Sequence, residues 1–426
     1  MVKSIRANDL REKPMTRLLM RCVFFWLVVS SNTEAAAQRD IFSALKLGQA
    51  DTVKAMLANG INADQSDNKG YTPIFYASIK GYPEIVSLLI ATGVDVNKAG
   101  RRGWSPLLGA SLHGHTTVLA SLLSNGADIN HRNSENMSAL MLAVKHQRYE
   151  AAQLLLRRGA SYSFSGELGV KSLMAMAVQN NDMTMVELLL DQGIKLDRAI
   201  IAVTPILFSA AVLNDSAMLR LLIKRGANLN QRDKAGNSLL HFSAVKANPE
   251  ILEVVLQQSL DLNAINDKGE TALVLAAKEG SSENTLRLLK KTQPSLRRAA
   301  LFAAASSGRQ SMLQIVLAEG VDVNDATHDG VTALMLAAQA RHDHLLPVLL
   351  SQGANLDAVD NNGQTALIYA VKTQPIKLSA ITALIDAGAD IEVKDHQGNT
   401  ILALAKQGEG RERQAVIERL LQASQR

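Results

Sequence analysis

Cysteine is almost absent. The 426-residue chain has one, Cys22, and it falls within the first 37 residues. Beyond that segment there is no thiol, so disulfide staples, thiolate nucleophiles and cysteine metal sites are excluded together. A thiol-free chain is also immune to mispairing in an oxidising compartment. Aromatic residues make up only 4% of the chain, which argues against one thick core and for thin layers packed through Ala, Leu and Val. Long apolar runs are missing as well. The stretch Cys22-Val23-Phe24-Phe25-Trp26-Leu27-Val28-Val29 falls short of the roughly 20 residues a membrane-spanning helix needs. Recognisable chemistry is missing too. There is no phosphate-cradling or dinucleotide-binding glycine phrase and no HExxH. No catalytic residue, metal set or cofactor is therefore expected.

Net charge is +5, and +3 of it lies in the first 37 residues, where Lys3, Arg6, Arg11, Lys13, Arg17 and Arg21 outnumber Asp9, Glu12 and Glu34. The rest of the chain carries only +2 and no basic stripe suited to a phosphate backbone, so nucleic acid is not an expected partner. A basic stretch, a short apolar run and Glu34-Ala35-Ala36-Ala37-Gln38 together read as a secretory signal peptide over 1–37, cleaved after Ala37. A start at Met15 or Met20 would give a leader of more ordinary length. The flanks look bacterial. In a Gram-negative cell they predict a periplasmic protein with no stable membrane insertion after cleavage. An uncleaved inner-membrane anchor and a secreted, host-directed effector are the alternatives.

What is present is a repeat. Gly70, Gly103, Asn136 and Gly169 lie 33 residues apart, and Gly93, Gly126, Gly159, Gly193 and Gly226 keep nearly the same step. From Arg39 onward the chain holds about twelve such units, a period diagnostic of a stacked repeat. Each unit can be read locally. Thr72, Ser105, Ser138, Ser172, Thr204, Ser238, Thr271, Thr332, Thr365 and Thr400 precede apolar, Ala-rich runs and are predicted helix N-caps. Pro73, Pro106 and Pro205 follow the cap, where a missing N–H costs nothing. Small pairs such as Ala276-Ala277 and Ala337-Ala338 let a neighbouring helix approach. Pro83-Glu84 and Pro249-Glu250 open a second helix, apolar at Val86, Leu89 and Ile90, and Gly93 ends it.

Gly70-Tyr71-Thr72-Pro73-Ile74 opening a unit, with Ala127-Asp128-Ile129-Asn130, Ala227-Asn228-Leu229-Asn230 and Ala389-Asp390-Ile391 closing others, resembles the ankyrin repeat over residues 39–426. The resemblance implies an all-α solenoid of helix-turn-helix units with β-hairpin or loop fingers. It also implies a curved stack that binds a protein partner on its concave face. The expected organisation is an N-terminal capping repeat at 38–66, an array at 67–394 and a C-terminal capping repeat at 395–426. The family often places His after T-P-L. Here His241 alone does so, in a structural role, and Phe75, Leu108, Met141, Met174, Leu207, Val274, Met335 and Ile368 stand elsewhere. His342-Asp343-His344 could suggest a metal but reads as scaffold. Two junctions break the pattern, at 197–202 and 291–298. Gly269 to Gly330 spans 61 residues rather than 66, so the ninth unit has lost most of its finger and unfolding should split near it.

One concentration of recognition-type residues stands out. Tyr71 and Trp104 occupy equivalent positions after the turn, Arg101 and Arg102 precede Trp104, and Tyr76 and His113 belong to the adjoining first helices. Trp, Tyr and Arg dominate interface hot spots. These six residues are the candidate partner-binding set, although Tyr71 and Trp104 could instead pack beneath the hairpins.

Overall fold

A hydroxyl begins many of this protein's helices. In the computed structural model Thr72, Ser105, Ser138, Thr271, Thr332 and Thr365 each accept from the backbone N–H three residues on, at 3.3–3.4 Å. Thr400 does the same to Ala403 at 3.2 Å. Each bond satisfies one of the N–H groups a helix start leaves unpaired. The structure describes residues 41–162, 173–196, 200–201, 204–245, 248–407 and 410–425. The expected leader, Ser172, the phrase opened by Gly169 and most of the 197–202 irregularity lie outside them.

The chain divides into two compact units, Met1–Lys195 and Leu196–Arg426. In the first, α1 covers 41–47 and α2 Ala50–Ala58. Then come α3 (Pro73–Lys80), α4 (Pro83–Ala91), α5 (Pro106–His113), α6 (Thr116–Ser124), α7 (Ala139–Lys145), α8 (Tyr149–Arg157), α9 (Leu173–Gln179) and α10 (Met183–Asp191). Helices α3, α5, α7 and α9 stack as one row, and the even-numbered helices form a second row behind it. First-row helices are enclosed by neighbours, so α7 buries every residue from Ala139 to Val144. Second-row helices bury one stripe, such as Ile85, Val86 and Leu89 in α4. That difference is why the first helices are short and rich in small residues.

The second unit repeats the scheme with α11 (Ile206–Val212), α12 (Ser216–Lys224), α13 (Leu239–Val245), α14 (Pro249–Leu256), α15 (Ala272–Glu279), α16 (Ser282–Lys291), α17 (Pro294–Ser306), α18 (Gln310–Ala318), α19 (Ala333–Gln339), α20 (Leu346–Ser351), α21 (Ala366–Lys372), α22 (Leu378–Asp386), α23 (Ile401–Gln407) and α24 (Arg413–Ala423). A single named sheet accompanies them among the described residues, the hairpin β1 (Ile200–Ile201) with β2 (Thr204–Pro205).

Three local readings change. Thr204 and Pro205 form the returning strand, so Pro205 is the N-cap and α11 starts at Ile206. The short finger draws the Thr-Pro phrase into its ladder. Ser238 spends its hydroxyl on His241 Nδ1, 2.8 Å away, instead of on the helix start. In the ninth unit the lost finger is replaced by helix: α17 begins directly at Pro294 and runs for 13 residues. Arg297 closes that joint, donating to the carbonyls of Thr292 at 3.0 Å and Glu319 at 3.4 Å.

Candidate partner-binding surface

The finger turns are built by a side chain that sequence reasoning missed. Asp67 Oδ1 accepts from the N–H groups of Lys69 and Tyr71 at 2.9 and 2.8 Å. Asn133, Asp233, Asn266, Asp360 and Asp395 repeat this pair of bonds in their own fingers. Each residue closes a turn whose backbone is otherwise held by few bonds. The signal was an Asx near the 33-residue step, hidden because Asp and Asn alternate at it. Consecutive fingers are also joined through the backbone, by Arg101 N–H to Lys69 O at 3.0 Å and Ser134 N–H to Arg102 O at 2.9 Å.

The finger at 100–104 differs from those flanking it. Gly100 stands where the adjoining fingers carry Asp67 and Asn133. The reason is steric: a Cβ there would lie 2.3 Å from Cδ1 of Tyr71. The Tyr71 ring occupies that space, stacked on Phe75 with centroids 4.3 Å apart. Without an Asx anchor the turn tightens into a 3₁₀ segment, Arg101–Gly103, with Arg102 left-handed at φ 58°. For a non-glycine residue that conformation costs about 1–2 kcal/mol. Both arginines are exposed, and Trp104 and Tyr71 are part-buried. Arg102 has only a loose pairing with Glu135, at 3.8 Å. An exposed pair of that length contributes ~0–1 kcal/mol.

The structure therefore brings Tyr71, Arg101, Arg102 and Trp104 onto two adjoining fingers. Tyr76 is adjacent, but its hydroxyl is committed to Asp67 Oδ2 at 2.7 Å, and its ring meets Phe42 at 5.5 Å. Tyr369 makes the same bond to Asp360, at 2.9 Å, so the pairing is a scaffold device used twice. Burial and the bond to Asp67 push the Tyr76 hydroxyl up to about 12. Burial alone would raise the Asp67 carboxyl, but the donors from Tyr76, Tyr71 and Lys69 outweigh it and hold it below the usual carboxylate range. His113 is not brought to this surface. It is the last of the eight residues of α5, so about 10 Å of helix separates it from the finger.

His241, His342 and His344 are scaffold. His241 is 1% exposed; its Nε2 donates to the Glu270 carbonyl of the next repeat at 2.9 Å. His342 and His344 donate to the carbonyls of Ser306 and Gly308 at 3.1 and 3.0 Å. Among the described residues no cluster of His, Cys, Asp or Glu could hold a metal ion, and no helix is long and apolar enough to cross a membrane. A second periodic bond ties repeats together. Asn97 Oδ1 accepts from Asp128 N–H at 2.7 Å, Asn130 from Ser161 at 2.9 Å and Asn324 from Asn355 at 2.7 Å. These are the asparagines that close the repeat phrase.

No curated protein matches the chain. The family described as ankyrin repeats (3 copies) matches at 41–133, 100–166, 140–233, 207–298, 301–395 and 339–425, which together take in nearly all of the chain beyond residue 40. Capped helix pairs, left-handed glycines between units and fingers joined edge to edge are the physical content of that match, and the chain belongs to the ankyrin repeat family, whose repeats are generally protein–protein interaction modules.

Proposed function

We propose that the chain is a non-enzymatic binding protein, exported to the periplasm, that captures a partner protein through the fingers at 67–71 and 100–104. The observation that carries this reading is the 100–104 turn. It forgoes the Asx anchor of its neighbours, holds Arg102 in a left-handed conformation and leaves two arginines exposed beside Trp104 and Tyr71. Strained backbone clusters at binding sites, and this turn holds its strain at an exposed surface. Large aromatic and guanidinium groups that lose little freedom on binding are the usual anchors of an interface.

Export rests on the leader at 1–37 and on the thiol-free remainder. Fractionation followed by N-terminal sequencing should find a soluble periplasmic protein starting at Gln38. The binding reading is tested by affinity capture from periplasmic extract with the mature chain and with the Arg102→Ala/Trp104→Ala double variant. The variant should fold normally and lose its partner by tenfold or more. Equal capture by both proteins would overturn the assignment of the fingers.

A further inference from the structure

A second cluster of charge lies at the far ends of the first-row helices in the first unit. Lys80 ends α3, His113 ends α5, Lys145 ends α7 and His146 caps it, and all four are exposed. Two further cations are set among them by a repeated device. The residue before each second helix reaches back over the glycine that ends the previous first helix. His115 lies over Gly81, where a Cβ would be 2.4 Å from its Nδ1, and its Nε2 donates to Ile79 O at 3.2 Å. Arg148 lies over Gly114, where a Cβ would be 2.9 Å from its Cδ, and its Nε donates to Leu112 O at 3.2 Å. The His113 and His115 rings are near-parallel at 5.9 Å. Six basic side chains thus form one continuous edge across three repeats.

The edge is not neutralised from within. The acidic groups on the adjoining elements are Glu84 in the first turn of α4, Glu150 in the first turn of α8 and Asp182 before α10. Asp182 is occupied in capping α10 at Met185 N–H, 2.9 Å. Among the described residues none of these carboxylates forms an ion pair with the cluster. Burial lowers the His113 imidazole, and His115, Arg148 and Lys80 lower it further. His146 is lowered by burial and by Lys145, Arg148 and His113. Like charges gathered at an exposed edge repel unless an anion joins them.

We propose that the edge of Lys80, His113, His115, Lys145, His146 and Arg148 is a docking surface for an acidic, extended segment of a partner polypeptide. Charge complementarity supports this, and spacing favours a peptide. Packed helices are ~8–10 Å apart, and a chain extended as a polyproline-II helix advances about 3.1 Å per residue with three residues per turn. A carboxylate at every third position would therefore meet one repeat after another. A polynucleotide needs permanent cations along its phosphates, whereas half of these side chains are histidines. A carboxylate docked beside His113 and His146 favours their charged forms, so binding takes up protons and tightens as pH falls from 8 toward 5.5. Aspartate and glutamate remain ionised over that range. The edge is at the opposite end of α5 from the 100–104 finger, so it stands or falls separately from the fingers.

The test is fluorescence anisotropy on the full chain with a labelled peptide carrying glutamate at every third position, at low ionic strength. Affinity should rise about five- to tenfold between pH 8 and pH 5.5, as expected for two exposed charges gained. His113→Gln/His146→Gln should abolish that rise. Adding Lys80→Gln and Lys145→Gln should remove binding, with far-UV circular dichroism unchanged, since all four side chains are exposed. Arg102→Ala/Trp104→Ala should bind the peptide normally. Absence of binding at pH 5.5, binding indifferent to the glutamine variants, loss in the finger variant, or tighter binding of a charge-matched oligonucleotide would each overturn the proposal.

Discussion

Replacing His241 should expose how much one polar link between repeats contributes. Its Nε2 faces the Glu270 carbonyl at 2.9 Å. A carbonyl only accepts, so Nε2 carries the proton. Nδ1 then accepts from the Ser238 hydroxyl at 2.8 Å and the Ser238 N–H at 3.3 Å. His241→Ala removes these bonds, at about 1 kcal/mol each. It also strands a carbonyl in the interior and opens a cavity, for a total of roughly 3–4 kcal/mol. His241→Leu refills the space, as Leu108 and Leu207 do at equivalent positions, and should cost about 1–2 kcal/mol for the stranded groups alone. Burial pushes the His241 imidazole below its usual range. The neutral ring's contribution is fully present above the unfolded value of about 6.5. It is lost as pH falls from there through the folded value, because the unfolded chain takes up the proton first. The gap between wild type and His241→Leu should therefore narrow from pH 7.5 to pH 5. Urea unfolding followed by circular dichroism gives the gap, and hydrogen exchange in α13 and α14 localises it. A cost for the alanine variant below about 1 kcal/mol, or a gap independent of pH, would refute the role of His241 as an inter-repeat link.

Tyr76 and Tyr369, both pushed up to about 12, should ionise late in a phenolate absorbance titration. Asp67→Asn and Asp360→Asn should each bring one phenol back toward 10; an unchanged titration would disprove the pairings. Asp67 and Asp360 are held below the usual carboxylate range, so their contribution is complete above the unfolded value of about 4 and vanishes as pH falls through the folded one. Within the second unit, the 291–298 joint should be where local opening begins, and Arg297→Ala should speed hydrogen exchange there by about tenfold, as expected for loss of a hydrogen bond or two. Uniform protection across 291–300 in the wild-type chain would remove the idea of a weak joint.

Much of the fold was legible because its information is local. A threonine or serine before an Ala-rich run caps the helix within three residues. Gly93, Gly126 and Gly159 end the second helices at φ 82°, 85° and 83°, a conformation glycine adopts without penalty. The helix pair at 41–58 and the second helix opened by Pro249 could be read this way. The candidate site was legible in composition but not in geometry. The structure commits the hydroxyl of Tyr76, a candidate binding residue, to Asp67. His113 looked like a neighbour of Trp104, and the structure places it at the far end of α5.

The remainder depends on groups about one repeat apart in the chain. Tyr71 explains Gly100, and so the bare turn at Arg102, only once one finger lies against the next. His115 and Arg148 become one edge with His113 only when successive helices stack. Asn97 and Asn130 become a ladder only through neighbours 31 residues on. Periodicity and caps specify backbone conformation over a turn or two of chain, which is why a repeat announces itself in one dimension. Packing selects which of those repeated positions meet, and in this protein that selection separates the bonds that build the scaffold from the side chains left for a partner.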